Sequence, residues 1–514
     1  MLVKTYGSAV EGIHATIITV EVNLALGSNP SFFMVGLPDN AVREGRERIK
    51  TAFQNNGYML PRKAITVNMA PADIMKVGSA YDLTVAIGIL GAEGEVPDAE
   101  LGDYLIMGEL SLDGTLRPIK GALPIAVEAR KRGFKGFILP KQNAAEAAIV
   151  NQLKVIPVEN LSEAADFLKG EKEIQPVERD TRELFFEAQQ DFPFDFADVK
   201  GQENVKRALE VAAAGGHNAI LIGPPGAGKT MLAKRMPTIL PPLTLHEALE
   251  TTKIHSVAGT LPEDSALVAH RPFRNPHHTS SDVALVGGGG NPQPGEISLA
   301  HNGILFLDEL PEFKRPVLEV LRQPLEERRI TVSRAKVTVE YPANFMLVAS
   351  MNPCPCGFYN HPDKECVCTP IQVQRYLNKI SGPLMDRIDL HVEVTPVPFE
   401  ELASREPGEA SRDIQERVET ARRMQLERFK DHPGIYANAM MPSNMVRQIC
   451  AIDKFGENLL KIAMKKLDLS ARAFDRILKV ARTIADLAGS EGIEPDHIAE
   501  AIQYRSLDRE NWAG

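Results

Sequence analysis

A short apolar run that leads into a glycine-rich loop and then a helix constrains this chain more than any other feature. Glycines let backbone N–H groups surround phosphate oxygens, and the helix terminus adds the positive end of its dipole. Lys229 can reach the β and γ phosphates, and the Thr230 hydroxyl can bind Mg²⁺. An ordinary glycine-rich turn is disfavoured, because the spacing is complete and both flanks fit. The sequence therefore predicts that ATP and Mg²⁺ bind at the residues of the G-x-x-x-x-G-K-T pattern: Gly223, Pro224, Pro225, Gly226, Ala227, Gly228, Lys229 and Thr230.

A second apolar run, residues 304–307, ends in the acidic pair Asp308 and Glu309. Such a run suits a buried parallel strand, whose carboxyl end delivers the two acids to the phosphate loop. Asp308 can hold Mg²⁺ through water, and Glu309 can orient and deprotonate an attacking water. An apolar run that ends in Asp-Glu is often only structural, but its place downstream of a phosphate loop favours catalysis. Two consecutive acids indicate hydrolysis rather than a small-molecule kinase.

Length and charge limit the remaining possibilities. A chain of 514 residues is long enough for about three domains, each with its own core. The net charge is −10, so nucleic acid would have to bind through a local patch, such as the inside of a ring. The amino terminus lacks the layout of a signal peptide, and no apolar run approaches the ~18 residues of a membrane span. We therefore expect a cytoplasmic protein with no membrane partner.

Residues 1–165 alternate strand-like and helix-like segments, which predicts an α/β domain without a phosphate loop of its own. Residues 16–22 and 64–69 have the composition of strands. Residues 40–55 and 123–132 have the apolar spacing of helices.

Parts of this first domain resemble the proteolytic domain of Lon proteases, which has a ribosomal-S5-like fold. A Ser–Lys dyad needs a lysine that takes the serine proton. Leu123 occupies the position where that lysine would stand, and Lys120 lies three residues too early. We therefore interpret Ser79 as a structural serine and the domain as an inactive Lon-like, ChlI-like assembly or substrate-handling module. The resemblance rests on residues 78–83, 108–119 and 132–141.

Four of the five cysteines lie close together, with the spacing C-x-C-x9-C-x-C. This clustering is unlike a secreted disulfide framework. Four thiolates can bind Zn²⁺ tetrahedrally, although C-x-C is tighter than the usual C-x2-C. The alternative is a set of free thiols, and the spacing favours zinc at Cys354, Cys356, Cys366 and Cys368. The paired residues His277 and His278 have no further ligands at metal spacing, so packing or hydrogen bonding is favoured there over metal binding.

Together these segments resemble the Mg-chelatase-like AAA+ ATPases of the YifB and ComM type over nearly the whole chain. The most specific segments are residues 299–310, 352–357 and 381–391. The resemblance implies an N-terminal Lon-protease-like domain, an AAA+ P-loop α/β domain and a C-terminal helical lid. We accordingly assign residues 1–165 to the Lon-like domain, 166–194 to a linker, 195–398 to the AAA+ core with its cysteine loop 354–368, and 399–514 to the lid.

The same resemblance assigns roles to three more side chains. Asn352 follows an apolar strand and stands where AAA+ proteins place a residue that positions the attacking water. Arg387 is assigned as the arginine finger, which must stay charged and reach a neighbouring subunit's γ-phosphate; a local Asp–Arg ion pair is the alternative. Arg472 stands where an AAA+ lid offers its second sensor to the nucleotide. The ordinary interpretation of the stripe that contains it is a solvated basic face, completed by Arg476, Lys479 and Arg482.

The resemblance also implies a homo-hexameric ring that drives migration of branched DNA during recombination of incoming DNA. A predicted hairpin over residues 329–340 would enter the pore, where Arg334 and Lys336 would face the phosphate backbone of single-stranded or branched DNA. An ordinary solvated hairpin tip is equally compatible with the sequence. The alternative function is a magnesium-chelatase-type motor that works through protein partners, although no D-x-S-x-S motif occurs. An ATP-dependent protease is disfavoured by Leu123.

Overall fold

A computed structural model describes residues 1–25, 30–188, 193–262, 266–290, 292–333, 338–359, 361, 363–403, 407–467 and 469–505. Its strands are β1 (Leu2–Glu11), β2 (His14–Ala25), β3 (Ser31–Val35), β4 (Ala64–Ala70), β5 (Tyr104–Ile106), β6 (Glu109–Leu110), β7 (Leu116–Arg117), β8 (Gly136–Pro140), β9 (Lys154–Val158), β10 (Ala219–Ile222), β11 (Phe273–Arg274), β12 (Gly287–Gly288), β13 (Gln293–Pro294), β14 (Ile304–Leu307), β15 (Arg329–Ser333), β16 (Thr338–Pro342), β17 (Met346–Met351) and β18 (Leu390–Glu393).

The α-helices follow the same chain order. They are α1 (Asn40–Asn55), α2 (Asp82–Glu93), α3 (Asp98–Leu101), α4 (Ala122–Lys131), α5 (Ala144–Ala147), α6 (Leu161–Lys169), α7 (Thr181–Ala188), α8 (Glu203–Gly215), α9 (Lys229–Arg235), α10 (Leu245–Ala258), α11 (Asp282–Val286), α12 (Glu296–Leu299), α13 (Arg315–Glu319), α14 (Arg322–Glu327), α15 (Pro370–Leu377), α16 (Gly382–Met385), α17 (Phe399–Leu402), α18 (Ser411–Arg428), α19 (Ser443–Ile449), α20 (Lys454–Lys466), α21 (Ala471–Leu487) and α22 (Pro495–Gln503). Among the described residues, none of these helices combines the length and the apolar character that a membrane crossing requires.

The first domain is built on a seven-stranded mixed sheet in the order β3-β4-β2-β1-β5-β8-β9. β1 and β2 form a long antiparallel hairpin, and β2 also pairs antiparallel with β4. Alternate residues of β4 are buried, as a strand with one face on a core requires. The apolar helix α2 is buried along nearly its whole length. The strands predicted over 16–22 and 64–69 and the helices predicted over 40–55 and 123–132 are confirmed as β2, β4, α1 and α4.

The segment predicted as a linker contacts the first domain over part of its length. The Val177 N–H donates to the Val155 carbonyl of β9 at 2.9 Å, which forms an isolated bridge on the sheet edge. The buried Thr181 hydroxyl, at the first residue of α7, donates to the Ile149 carbonyl at 3.0 Å. The polar composition of this segment therefore coexists with ordered backbone contacts as far as Thr181.

The second domain is organised around a five-stranded parallel sheet in the order β11-β14-β17-β10-β18. Every residue of β10, β14 and β17 is buried, because helices cover both faces of the sheet. The parallel direction brings the carboxyl ends of β10, β14 and β17 to one edge. This edge, formed by the carboxyl ends of the strands, therefore carries the phosphate loop, the acidic pair and Asn352.

The helical lid packs against the second domain through α21. Ile477, Leu478 and Ala481 are buried in a core that also contains residues of α8 and β10. The solvated basic face expected on α21 is contradicted by the structure. Arg482 is only 3% exposed and lies 3.0 Å from the Asp486 carboxylate, and Arg476 pairs with Asp389. Buried carboxylates from both domains compensate these charges, and the pairing of Arg476 with the distant Asp389 is one that a helical periodicity cannot reveal.

The first domain also contacts the β15–β16 hairpin of the second. A Cβ on Gly12, in the turn between β1 and β2, would lie 2.8 Å from Val339 Cγ1 of β16. The adjacent Ile13 packs against the apolar cluster that contains Val339 and Tyr341. The turn of the β1–β2 hairpin therefore rests directly on the second hairpin.

Candidate nucleotide site

The phosphate loop connects the end of β10 to the start of α9. Gly226 and Gly228 have positive φ angles of 81° and 86°, which glycine adopts without the strain of a side chain. Gly223 is required for a different reason, because a Cβ there would lie 2.1 Å from the Val394 carbonyl oxygen after β18. The pattern of glycines thus follows from backbone conformation at two positions and from close packing at the third.

Lys229 is held inside this loop. Its Nζ donates to the carbonyls of Gly223 and Pro224 at 2.7 and 2.8 Å and to Asn352 Oδ1 at 3.1 Å. Burial lowers the pKa of Lys229, while the charges of Asp308 and Glu309 act in the opposite direction. The structure therefore brings together the predicted phosphate-binding lysine and the predicted water-positioning asparagine.

Asp308 is oriented by two hydroxyl groups. The Thr230 hydroxyl donates to Asp308 Oδ2 at 2.8 Å, and the Ser350 hydroxyl donates to the other carboxylate oxygen. Carboxylate and hydroxyl oxygens are ligands that suit Mg²⁺, so the side chains present here fit that ion. Ser350 was not identified in the sequence. The signal for it was its position two residues before Asn352 on the strand next to β14.

Glu309 follows Asp308 in a left-handed backbone conformation with φ of 55°. Its N–H donates to Asp308 Oδ1 at 3.1 Å and to the Ser350 hydroxyl at 3.3 Å, which fixes the turn. The side chain is more than half exposed, and its Oε2 lies 3.7 Å from His278 Nδ1. The His278 ring also contacts His277, at 4.1 Å between centroids, and the edge of Phe313. His278 is thus a polar neighbour of the predicted catalytic acid, which the sequence did not predict.

A cavity of about 970 Å³ is lined in part by Gly201, Gln202 and Thr395. Gly201 and Gln202 directly precede α8, and Thr395 follows the end of β18. The carbonyl of Val394, next to Thr395, is the atom that approaches Gly223. Through Val394, the residue before Thr395, the cavity borders a segment that packs against the phosphate loop.

Arg387 and Arg472 lie at the opposite edge of the parallel sheet. The side-chain amide of Asn218, the residue before β10, donates to the Arg387 carbonyl at 2.9 Å. The Arg387 guanidinium pairs with Glu326 rather than with a flanking aspartate. Arg472 is exposed and lies 3.6 Å from Asp386. Since β10 spans about 13 Å from this edge to the phosphate loop, the structure does not bring these arginines to the loop of their own chain.

The four clustered cysteines converge, with all four sulfur atoms within 4.8 Å of one another. Cys354 Sγ lies 3.4 Å from Cys356 Sγ and 3.7 Å from Cys366 Sγ, and the latter two are 3.6 Å apart. Zn–S bonds of about 2.3 Å place the sulfurs of a tetrahedral site roughly 3.8 Å apart, so the arrangement fits one zinc ion. Among the described residues no other group of His, Cys, Asp and Glu converges in this way, and the histidine pair is not part of one.

The remaining predicted residues fall in two places. Arg334 and Lys336 lie outside the described residues, although the antiparallel hairpin that carries them is confirmed from Arg329 to Ser333 and from Thr338 to Pro342. In the first domain the Ser79 hydroxyl donates to the Glu109 carboxylate, as a structural serine would. Leu123 is fully buried.

Comparison with known proteins gives matches along nearly the whole chain. Three family models match: subunit ChlI of Mg-chelatase over residues 20–143, magnesium chelatase subunit ChlI over residues 195–402, and the C-terminal part of that subunit over residues 408–505. The YifB protein of Escherichia coli is 44% identical, over 97% of this chain and 96% of its own length. Competence protein ComM of Haemophilus influenzae is 42% identical, over 99% and 98%. Lon protease 2 of Bacillus subtilis is 30% identical, over 29% of this chain and 28% of its own length.

Proposed function

Since this chain belongs to the magnesium chelatase subunit ChlI family together with YifB and ComM, we propose that it is an AAA+ ring motor that hydrolyses ATP to act on DNA. ATPase activity follows from the family. The ring, the DNA substrate and the migration of branched DNA during recombination of incoming DNA are our proposal. The observation that carries the proposal is the set of contacts among Lys229, Asn352, Thr230 and Asp308 at the carboxyl edge of the parallel sheet.

Each side chain of this edge has a defined part in hydrolysis. Lys229 would neutralise phosphate charge, while Thr230 and Asp308 would hold Mg²⁺, which would supply further positive charge to the phosphates. Glu309 takes the proton of the attacking water, and its exposed carboxylate is free to approach that water. Asn352 is placed by Lys229 and orients the same water. No covalent intermediate is needed, because in-line attack by water proceeds by positioning and charge stabilisation.

The arginines at the opposite edge support a ring. A guanidinium far from its own phosphate loop reaches a nucleotide only across a subunit boundary, in a head-to-tail contact of the kind that closes rings. Arg387 then binds the γ-phosphate held by the neighbouring subunit. Arg472 pairs with Asp386, the residue before Arg387, and contacts the same nucleotide. We propose a homo-hexamer in which every site is completed in this way.

DNA binding is proposed for the β15–β16 hairpin. The net charge of −10 leaves local cations as the means of contacting phosphates, and Arg334 and Lys336 supply two in the predicted turn. A relative that covers nearly the full chain is a competence protein, which supports a role with incoming DNA.

The test is the ATPase rate with and without single-stranded, duplex and four-way-junction DNA, across a series of salt concentrations. We expect stimulation that weakens as salt rises, because phosphate contacts release counterions. Replacing both Arg334 and Lys336 with Ala should remove the stimulation and leave the basal rate unchanged. Arg329→Ala is the matched control, since Arg329 lies at the base of the same hairpin, opposite Pro342.

A second candidate is a magnesium-chelatase-type motor that works through protein partners. It is favoured by the ChlI family models, which match all three domains. A flat response to every DNA, with normal basal hydrolysis, would refute the DNA motor and favour this alternative.

A further inference from the structure

The turn from Cys354 to Gly357, which contains the first two cysteines, lies directly against the phosphate loop. Gly357 has a φ of 84°, and a Cβ on it would lie 2.5 Å from Pro225 Cδ and 3.2 Å from Pro225 Cγ. Its N–H donates to the Cys354 carbonyl at 3.0 Å, which closes a tight turn between the two cysteines. The cysteine loop and the phosphate loop are therefore in van der Waals contact at a position where only glycine fits.

The same short segment contacts the phosphate loop a second time. Asn352, two residues before Cys354, accepts the hydrogen bond from Lys229 at 3.1 Å. Residues 352–357 thus contact the loop both at its lysine and at its second proline. An interaction that fixes the conformation of residues 352–357 therefore also fixes the positions of Lys229 and Pro225 at the nucleotide site.

The four thiol groups are the means of fixing it. Cys354 is fully buried. The spacings of 3.4–3.7 Å among the sulfurs of Cys354, Cys356 and Cys366 match one tetrahedral ion, and the fourth sulfur lies within 4.8 Å of them. A two-iron cluster would spread its cysteine sulfurs over a longer distance than the 4.8 Å seen here. A bound ion joins both ends of the cysteine loop 354–368, because two of its ligands lie at the start of that loop and two lie at its end. Immediately after Cys368, Thr369 caps α15, so the second pair of ligands is anchored to a helix.

We propose that Cys354, Cys356, Cys366 and Cys368 bind one Zn²⁺, and that this ion holds Gly357 against Pro225 so that ATP affinity depends on metal occupancy. The ion is not a reactant; it keeps the phosphate loop in its binding conformation. The proposal rests on the assignment of residues 223–230 as the nucleotide site, but not on DNA binding or ring formation.

Two kinds of variant separate the ion from the contact. In the full-length protein, Cys356→Ser with Cys368→Ser removes two ligands, and Cys450→Ala is the control that removes the one cysteine outside the cluster. Gly357→Ala keeps all four thiols but places a Cβ against Pro225. Its matched control is Gly434→Ala, because Gly434 has nearly the same φ, 86°, and no atom within 4 Å of an added Cβ.

The measurements are zinc and iron content by mass spectrometry and the Kd of a fluorescent ATP analogue with Mg²⁺. We expect about one zinc per wild-type chain, none in the double cysteine variant, and binding of the analogue roughly tenfold weaker in that variant. Gly357→Ala should retain its zinc and still bind more weakly, while both controls behave as wild type. Adding ZnCl₂ to wild-type protein stripped of metal should restore the affinity.

Three results would overturn the proposal. These are a wild-type protein without zinc, a folded double cysteine variant that binds the analogue as tightly as wild type, and a Gly357→Ala variant with unchanged Kd. Thermal unfolding followed by circular dichroism shows which variants are folded. Failure of the nucleotide assignment would look different, since wild type itself would then bind no analogue. Lys229→Ala should lose the analogue while it retains zinc.

Discussion

The phosphate loop and Arg387 lie at opposite ends of the strands of one sheet. This placement predicts that a mixture of two inactive variants regains ATPase activity. If each active site takes its loop from one subunit and Arg387 from the next, Lys229→Ala and Arg387→Ala damage different halves of the same site. Mixed rings then contain interfaces where the intact loop of an Arg387→Ala subunit meets the intact arginine of a Lys229→Ala subunit. Both proteins alone should be inactive, yet their mixture should hydrolyse ATP.

The magnitude follows from counting interfaces. In a random 1:1 mixture, an interface is intact only when its loop comes from an Arg387→Ala subunit and its arginine from a Lys229→Ala subunit, which occurs in about one quarter of head-to-tail contacts. We therefore expect about 25% of the wild-type ATPase rate per subunit from a heterologous ring whose sites act independently. The assay is phosphate release after the two proteins are dissociated and reassembled together.

A matched mixture provides the control. Lys229 and Glu309 both act on the loop side, so Lys229→Ala mixed with Glu309→Gln leaves every interface with one damaged loop and should stay inactive. The reasoning is refuted if the Lys229→Ala and Arg387→Ala mixture remains at the mean of its two components while native electrophoresis shows mixed rings. Arg387 would then have only its pairing with Glu326.

Three further predictions follow from contacts of single side chains. Glu309→Gln should leave ATP binding intact and lower turnover by about 10²–10⁴-fold, because it removes the general base; normal turnover would show the base assignment to be wrong. Ser350→Ala removes one hydroxyl from Asp308 and should raise the Mg²⁺ concentration for half-maximal ATPase roughly tenfold, and an unchanged Mg²⁺ titration would contradict this. Burial alone would raise the pKa of Asp389, but Arg476, His217 and Lys479 together outweigh burial and hold that pKa below its ordinary value. The stabilisation that ionised Asp389 provides is therefore present above its unfolded pKa of about 3.9 and is lost as the pH falls below that value. Asp389→Asn should lower the free energy of unfolding by about 3 kcal/mol at pH 7 and should flatten the fall in melting temperature towards pH 3. An equally steep fall in the variant would refute the assignment.

Local patterns predicted the fold well where the structure depends on local chemistry. The bounds of α1 agree with the apolar spacing of residues 40–55, and Asp39 caps the helix by accepting from the Val42 N–H. The phosphate loop and the acidic pair are likewise local patterns, because consecutive residues supply the backbone turn and the side chains together. The carboxyl ends of parallel strands then bring them to one edge.

Contacts between distant parts of the chain were not predictable in the same way. Arg476 and Arg482 have the spacing of a solvated helical face. The partner of Arg476 is the distant Asp389, whereas Arg482 pairs with Asp486 one turn along the same helix and is buried only because of the tertiary packing. Ser350 resembles any strand serine until β17 lies beside β14. No periodicity records the pairings of Arg476 with Asp389 or of Ser350 with Asp308, since those partners are 87 and 42 residues apart in the chain.

The contact between the two hairpins has a mechanical consequence. The turn at Gly12 lies against Val339, so the first domain contacts the second at β16, the strand that follows the proposed DNA-contacting turn. If β16 moves relative to the parallel sheet of its own domain, the first domain must either move with β16 or let β16 slide past the Gly12 turn. In the first case the first domain would move with every ATP-driven movement of the hairpin, and in the second it would be a fixed surface along which the hairpin slides.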